Sequence, residues 1–173
     1  MRPFILTLLA AILLISCGKD KNEDPQPGIT LVGTWTGVSQ ESKLTSGGKD
    51  FTEALIDEFG DAAWAAQMTD ISIKAHDGAN TMFFTELKIE DDGVLEASMG
   101  SSGAAPGKWS LTEDGKTVSM SLNPPSVKDM TGEVTKLTAS ELWIEVNLEV
   151  ADNLLGMIPT YQYNSVLKYT RKK

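Results

Sequence analysis

The sequence predicts a mostly β protein: an antiparallel up-and-down meander β-barrel of eight to ten strands, with a short helical insert after the first strand. From Gly93 onward, apolar residues recur at every second position, which is the period of a strand with one buried face. Short turn sequences separate these runs, so consecutive strands should pair as hairpins. A single earlier stretch has helical periodicity instead.

The first element in chain order is a secretory signal at residues 1–16. Arg2 supplies a positive charge, and residues 4–15 are apolar apart from Thr7. The apolar run has about 12 residues, whereas a helix that spans a membrane needs about 20. We therefore expect this segment to be removed and not retained as an anchor.

The end of the signal and the residue after it, Leu14, Ile15, Ser16 and Cys17, resemble the lipobox of bacterial lipoproteins. The resemblance implies cleavage before Cys17 and acylation of that cysteine, with palmitate or a similar chain. Cys17 is the only cysteine in the chain and therefore cannot form an internal disulfide. Several acyl chains would hold the protein on a membrane permanently. The alternative is an ordinary signal peptide that contains a cysteine.

Residues 17–28 are predicted to be the lipidated cysteine and a flexible acidic tether, because residues 18–28 contain no apolar side chain to bury. Gly18 stands where an aspartate would indicate retention in the inner membrane, so we expect the outer membrane, on its periplasmic face or at the cell surface. The run of lysines and acids also resembles surface-export signals of Bacteroidetes lipoproteins. The alternative for this run is a soluble spacer.

Residues 29–173 are predicted to form one barrel domain. The formal charge of the whole chain is −9, and the loss of Arg2 with the signal would make it −10. This acidity argues against a nucleic-acid partner, since phosphate binding needs clustered basic residues. The only basic cluster is the short C-terminal tail of Arg171, Lys172 and Lys173.

About nine strands are predicted within this domain, with turns at 91–93, 114–115 and 139–140. A loop inserted at 101–107 is expected to interrupt them. The strands are expected near residues 29–40, 70–76, 80–90, 95–99, 109–111, 117–122, 134–138, 141–150 and 161–171.

The helical insert is predicted at residues 50–68. Asp50 is a candidate N-cap, with Glu53 at the capping-box position. Gly60 followed by Asp61 predicts a division into two short helices, because glycine ends helices and aspartate begins them. The apolar stripe consists of Phe51, Leu55, Phe59 and Ala62 or Ala63.

Gly33 and Trp35, in the sequence LVGTW at 31–35, resemble the Gly-x-Trp signature of the calycins, which include lipocalins and fatty-acid-binding proteins. Together with the meander, they are similar to lipocalin-like lipoproteins of Bacteroidetes. The resemblance implies that Trp35 packs across the closed end of the barrel, with Arg171 over its ring; the alternative is a frayed, solvated Arg171. The chain has Leu167 two residues before Tyr169, where fatty-acid-binding proteins have an arginine that holds a carboxylate.

The first functional hypothesis is that the barrel binds a small hydrophobic ligand. The barrel size leaves room for either packed side chains or one small molecule. The alternative is that the same apolar residues simply close the core. The candidate ligand-binding residues are Phe51, Leu55, Phe59, Trp64, Phe83 and Phe84.

The second hypothesis is a solid-core barrel that contacts a protein or glycan in the cell envelope. Its basis is the apolar stretch NLLGMI at 153–158, and it does not identify the protein partner. An enzyme is not expected. His76 is predicted to be a surface residue at a turn, Cys17 is expected to be acylated, and no known metal motif or cofactor-binding loop occurs.

Overall fold

The structure, a computed structural model, describes residues 30–79, 83–100, 103–123, 129–150 and 160–173. The predicted signal, lipobox and tether lie outside these residues, as does the apolar stretch at 153–158. The elements in chain order are β1 (Gly33–Ser46), β2 (Lys49–Asp50), α1 (Phe51–Phe59), α2 (Ala62–Ala79), β3 (Glu86–Ile89), β4 (Val94–Ser98), β5 (Ala105–Leu111), β6 (Thr117–Leu122), β7 (Met130–Leu137), β8 (Glu141–Val150) and β9 (Tyr161–Arg171).

The strands form a closed antiparallel barrel, as predicted. Each strand from β3 to β8 pairs with the next, and β1 pairs with β3 on one side and β9 on the other. Eight strands of the described chain make the barrel, and β2 is a two-residue addition to the end of β1. The two helices follow β1, as the predicted insert does.

The predicted turns join antiparallel neighbours. Residues 91–93 connect β3 to β4, 114–115 lie between β5 and β6, and 139–140 lie between β7 and β8. The alternation within β8 is also confirmed: Leu142, Ile144 and Val146 are buried, while Trp143 and Glu145 between them are partly exposed. These strands follow the sequence closely because one face is apolar and the other is polar.

The insert divides into two helices where the sequence predicts. Asp50 Oδ1 accepts a hydrogen bond from Thr52 N at 2.8 Å at the start of α1. Gly60 ends that helix in the left-handed conformation, at φ +75°, which costs glycine little. Asp61 Oδ1 then accepts from Trp64 N at 3.0 Å at the start of α2.

The predicted strand at 70–76 is wrong, because these residues belong to α2. Ile71 and Ile73 imitate a strand's alternation, yet Ile71 is 46% exposed. The buried positions are instead Ser72 and His76, four residues apart on one helical face. The prediction failed because this buried face is polar, so hydrophobic periodicity does not reveal it.

Several further strand boundaries differ from the prediction, including the start of β3 at Glu86 and that of β7 at Met130. Residues 105–107, expected to be loop, begin β5, where Ala105 pairs with Ala97 and Gly107 with Leu95. The exposed Pro106 between them has low strand propensity and hides the strand in the sequence. The first strand ends at Ser46 instead of near residue 40. The prediction stopped too early because the second half of the strand is largely polar.

The barrel has two ends that differ in their surroundings. At the helix end, where β1 ends and β9 begins, both helices pack against β1 and α2 also packs against β9. Phe51 of α1 contacts Tyr161 of β9. At the floor end, β1 begins and β9 ends. The apolar core divides in the same way, and Leu148 on β8 contacts both parts. The smaller part, under the helices, contains Leu44, Phe51, Leu55, Ala65, Tyr161 and Tyr163.

Candidate functional site

A β-bulge in β1 determines which of its side chains enter the barrel. Before the bulge, Trp35 faces inward and is fully buried. The pairing of β1 with β9 shifts between Gly37 and Ser39, which leaves Val38 60% exposed. An extra residue in one strand reverses the alternation beyond it. Consequently Gln40 and Ser42 face the interior.

The neighbouring strand β9 places further polar groups at the same level. Tyr161, Tyr163 and Ser165 alternate along its buried face, with exposed fractions of 4%, 0% and 0%. Ser42 of β1 lies directly opposite Ser165 in the antiparallel register. The pairing therefore places hydroxyl groups from both strands inside the helix end of the barrel.

Helix α2 contributes a carboxylate to these hydroxyls. Asp77 Oδ1 accepts hydrogen bonds from Tyr163 Oη at 2.7 Å and from Gln40 Nε2 at 3.0 Å. The Ser42 and Ser165 hydroxyls are 2.9 Å apart, and Ser42 Oγ is 3.3 Å from Tyr163 Oη. We call these five residues the interior polar cluster. It joins two barrel strands to the helix that covers them.

A buried histidine–tyrosine pair lies beside this cluster. His76 is 6% exposed, and its Nε2 is 2.7 Å from Tyr161 Oη. The His76 ring centroid is 5.3 Å from that of Tyr163 and 5.5 Å from that of Tyr161. The prediction that His76 is a surface residue at a turn is therefore wrong. His76 is buried because α2 packs against β9, and this packing is not evident from the sequence pattern.

The six predicted ligand-binding residues do not form one group. Phe51 and Leu55 are buried under the helices, whereas Phe84 is buried in the main barrel core. Trp64 packs partly buried against the helix part of the core. Of the remaining two, Phe59 is 39% exposed and contacts Trp64, and the Phe83 ring stacks on Tyr169 with centroids 5.8 Å apart.

The floor end is organised around Trp35 and Arg171. The guanidinium carbon of Arg171 lies 4.4 Å from the centre of the Trp35 ring. The two guanidinium NH groups donate to the backbone oxygens of Val32 and Thr30, at 3.1 and 2.7 Å. Gly33 has φ +142°, and a Cβ there would lie 2.8 Å from Arg171 Nη1. Glycine at this position therefore leaves space for the guanidinium group.

Tyr169 carries a polar group into the main core. It is 1% exposed, and its hydroxyl has no hydrogen-bond partner among the residues that the structure describes. Burial raises the pKa of Tyr169 far above its usual value. The Phe84 backbone opposes this shift to a lesser extent, without reaching hydrogen-bonding geometry. The hydroxyl therefore stays protonated in the folded protein.

Replacing Tyr169 by phenylalanine should raise the free energy of unfolding at neutral pH by about 1 kcal/mol, because a buried hydroxyl without a partner is removed. The gain should grow above about pH 10, where the unfolded wild-type chain releases the tyrosine proton and the folded chain keeps it. Wild-type stability then falls by up to about 1.4 kcal/mol per pH unit from this group.

Urea unfolding of both proteins between pH 7 and 11 would measure this difference. Because the lysines titrate in both proteins, their effect cancels from the difference in the free energy of unfolding. A difference that stays constant or narrows above pH 10 would contradict the assignment of the raised pKa to Tyr169.

The described part of the chain holds neither a clustered metal-binding set nor a membrane-spanning helix. Among those residues, no group of three or more histidine, cysteine, aspartate or glutamate side chains is placed to hold a metal ion. None of the helices in these ranges is both long enough and apolar enough to cross a membrane.

Sequence reasoning did not find the interior polar cluster. On β9, Ser165 stands at an inward position between Tyr163 and Leu167, and a polar residue at a core position is a signal that could have indicated it. On β1 the bulge hides Gln40 and Ser42, since regular alternation from Trp35 would turn both outward.

Comparison of the chain with protein-family models, curated proteins and solved structures finds no match.

Proposed function

We propose that this chain is a membrane-anchored, lipocalin-like lipoprotein whose barrel binds one small, largely hydrophobic molecule at the helix end. The observation that carries the proposal is the interior polar cluster, in which Ser165 is fully buried and Tyr163 is bonded to Asp77. Polar side chains are costly to bury unless they are hydrogen-bonded, and a few convergent polar groups in an apolar pocket typically fix the orientation of a ligand.

The surroundings of the cluster suit the apolar part of such a molecule. Leu44 lies two residues beyond Ser42 on the same inward face of β1, and Tyr161 packs its ring against Phe51 with centroids 5.1 Å apart. Ligand sites are typically apolar with a few convergent polar groups. The expected ligand is therefore an amphiphile whose polar group meets the cluster and whose body meets these rings.

The membrane anchor is supported by the sequence, through the lipobox-like residues that end at Cys17. The lipocalin-like assignment is supported by the arrangement of Gly33, Trp35 and Arg171 at the floor end. The anchor favours a position in the cell envelope, and Gly18 in place of an aspartate favours the outer membrane. The expected role is binding without catalysis.

The test of ligand binding uses 1-octanol and the full chain in a non-ionic detergent. We expect 1-octanol to raise the unfolding temperature by about 3 °C or more once it exceeds its Kd tenfold. Ser165→Leu should remove this rise, because it replaces the buried Ser165 hydroxyl of the cluster with a larger apolar side chain. Gln162→Leu, an exposed position on the same strand, is the matched control and should keep it.

The alternative function is a solid barrel that contacts a protein or glycan in the envelope. It is favoured by the burial of Phe51 and Leu55 under the helices and of Phe84 in the main barrel core, where these side chains pack into the core. The same experiment separates the two functions. If 1-octanol shifts the wild-type chain no more than Ser165→Leu, the barrel does not bind such a ligand and the contact role is preferred.

A further inference from the structure

We infer that the ligand of the interior polar cluster carries an uncharged hydroxyl or amide group, or an ammonium group, and not a carboxylate. This inference rests on the proposed function. Of the five cluster residues Gln40, Ser42, Asp77, Tyr163 and Ser165, only Asp77 carries a formal charge, and that charge is negative. Two of the groups that bond to it, the Tyr163 hydroxyl and the Gln40 amide, are neutral donors.

The basic side chains near the cluster are turned away from it or engaged elsewhere. On β1, Lys43 is exposed, and on β9, Lys168 Nζ bonds to Glu41 Oε1 at 2.6 Å on the outer surface. On α2, Lys74 pairs with Asp70 at 2.6 Å, with both side chains well exposed. The ammonium groups of Lys168 and Lys74 are thus paired on the outer surface, and Lys43 is exposed to solvent.

Arg171 and His76 are the remaining basic residues of these three elements. Arg171 lies at the floor end, stacked on Trp35 and bonded to two backbone oxygens. His76 lies beside the cluster, with its Nε2 at 2.7 Å from Tyr161 Oη. Among the described residues, the polar groups of the cluster are therefore one carboxylate, three neutral hydroxyls and one neutral amide.

The chemistry of these groups selects the polar end of a ligand. Serine and tyrosine hydroxyls both donate and accept hydrogen bonds, whereas an ionised carboxylate only accepts. A ligand hydroxyl or amide can exchange hydrogen bonds with Ser42 and Ser165, and an ammonium group is also attracted by Asp77. A ligand carboxylate would instead bring a second negative charge close to Asp77 in a partly buried site, which is disfavoured.

The test compares 1-octanol, octylamine and octanoate, which share one chain length and differ in their head groups. The full chain is titrated in the same detergent at pH 8, above the usual range of histidine titration, and each Kd is taken from the unfolding temperature. For each ligand, the shift seen with Ser165→Leu is subtracted, so that partition into micelles cancels. We expect octanoate to bind at least about tenfold more weakly than 1-octanol or octylamine.

Asp77→Asn tests the charge directly. It should weaken octylamine about tenfold and bring octanoate to within about threefold of 1-octanol. Asp70→Asn is the matched control, because Asp70 is an exposed carboxylate on the same helix, and it should change none of the three constants. If Asp77→Asn does not fold, the comparison of the three ligands on the wild-type chain decides alone.

The outcomes distinguish the two levels of the proposal. If no ligand shifts the wild-type chain beyond Ser165→Leu, the proposed binding function fails. If 1-octanol binds and octanoate binds equally well, binding stands but the head-group inference is overturned. If Asp77→Asn folds and leaves the ratios of the three dissociation constants unchanged, Asp77 does not set the selectivity, and the inference is overturned as well.

Discussion

Replacing Trp35 by alanine should lower the free energy of unfolding by about 3–5 kcal/mol, the range for removing a large aromatic side chain from a core. Trp35 is fully buried, and its Nε1 donates to Leu31 O at 2.7 Å. The substitution also removes the ring on which Arg171 lies. Because β1 pairs with both β3 and β9 at this level, the loss affects the closure of the barrel.

Urea unfolding of the full chain measures this effect, and Trp143→Ala is the matched control. Trp143 lies on the outer face of β8, partly buried, with Lys136 and Lys168 over its ring at 4.5 and 4.9 Å. Its removal should cost about 1 kcal/mol. A cost for Trp35→Ala no greater than that for Trp143→Ala would show that the floor end does not depend on the buried ring.

A double-mutant cycle with Arg171→Ala isolates the contribution of the stacked pair. We expect a coupling of about 0.5–2 kcal/mol between Trp35 and Arg171, the usual range for a cation over an aromatic ring. The remainder of the Trp35→Ala effect would then come from lost packing and from the unpaired Leu31 carbonyl.

Replacing Cys17 by serine should abolish lipid attachment to the chain. The lipobox resemblance implies acylation through the cysteine sulfur, and the chain has no second cysteine to replace it. Metabolic labelling with a palmitate analogue should therefore give a labelled wild-type protein and an unlabelled variant. The variant should also leave the membrane fraction, because the acyl chains supply the anchorage.

Ser16→Ala is the control for this experiment, since it keeps a small residue before the predicted cleavage site. It should be labelled and retained on the membrane like the wild type. Equal labelling of Cys17→Ser and wild type would mean that the lipid is not on this cysteine, and would leave the ordinary signal peptide as the better interpretation of residues 1–16.

The fold was largely predictable where each strand has one apolar and one polar face. The alternation of Leu142, Ile144 and Val146 and the position of the final strand required no tertiary information. The division of the helical insert at Gly60 and Asp61 was also local, because a left-handed glycine and an N-cap aspartate act within one turn.

The candidate site was not predictable in the same way, for two reasons. Helix α2 buries Ser72 and His76, and a polar buried face produces no hydrophobic period. Strand β1 changes its inward parity at Val38, and the position of a bulge depends on pairing with β9 and not on a residue pattern.

The sequence alone determined the fold class and the number of helices in the insert, since these depend on local periodicity and turn chemistry, and it predicts lipid attachment at Cys17 from a short motif. Only the tertiary structure decided which polar residues share the barrel interior. Gln40, Asp77 and Ser165 lie far apart in the chain, and their contact requires the closure of β1 on β9 and the packing of α2 against both strands. Hydrophobic periodicity predicts which face of one strand or helix is buried. It does not predict which residues of different elements come into contact.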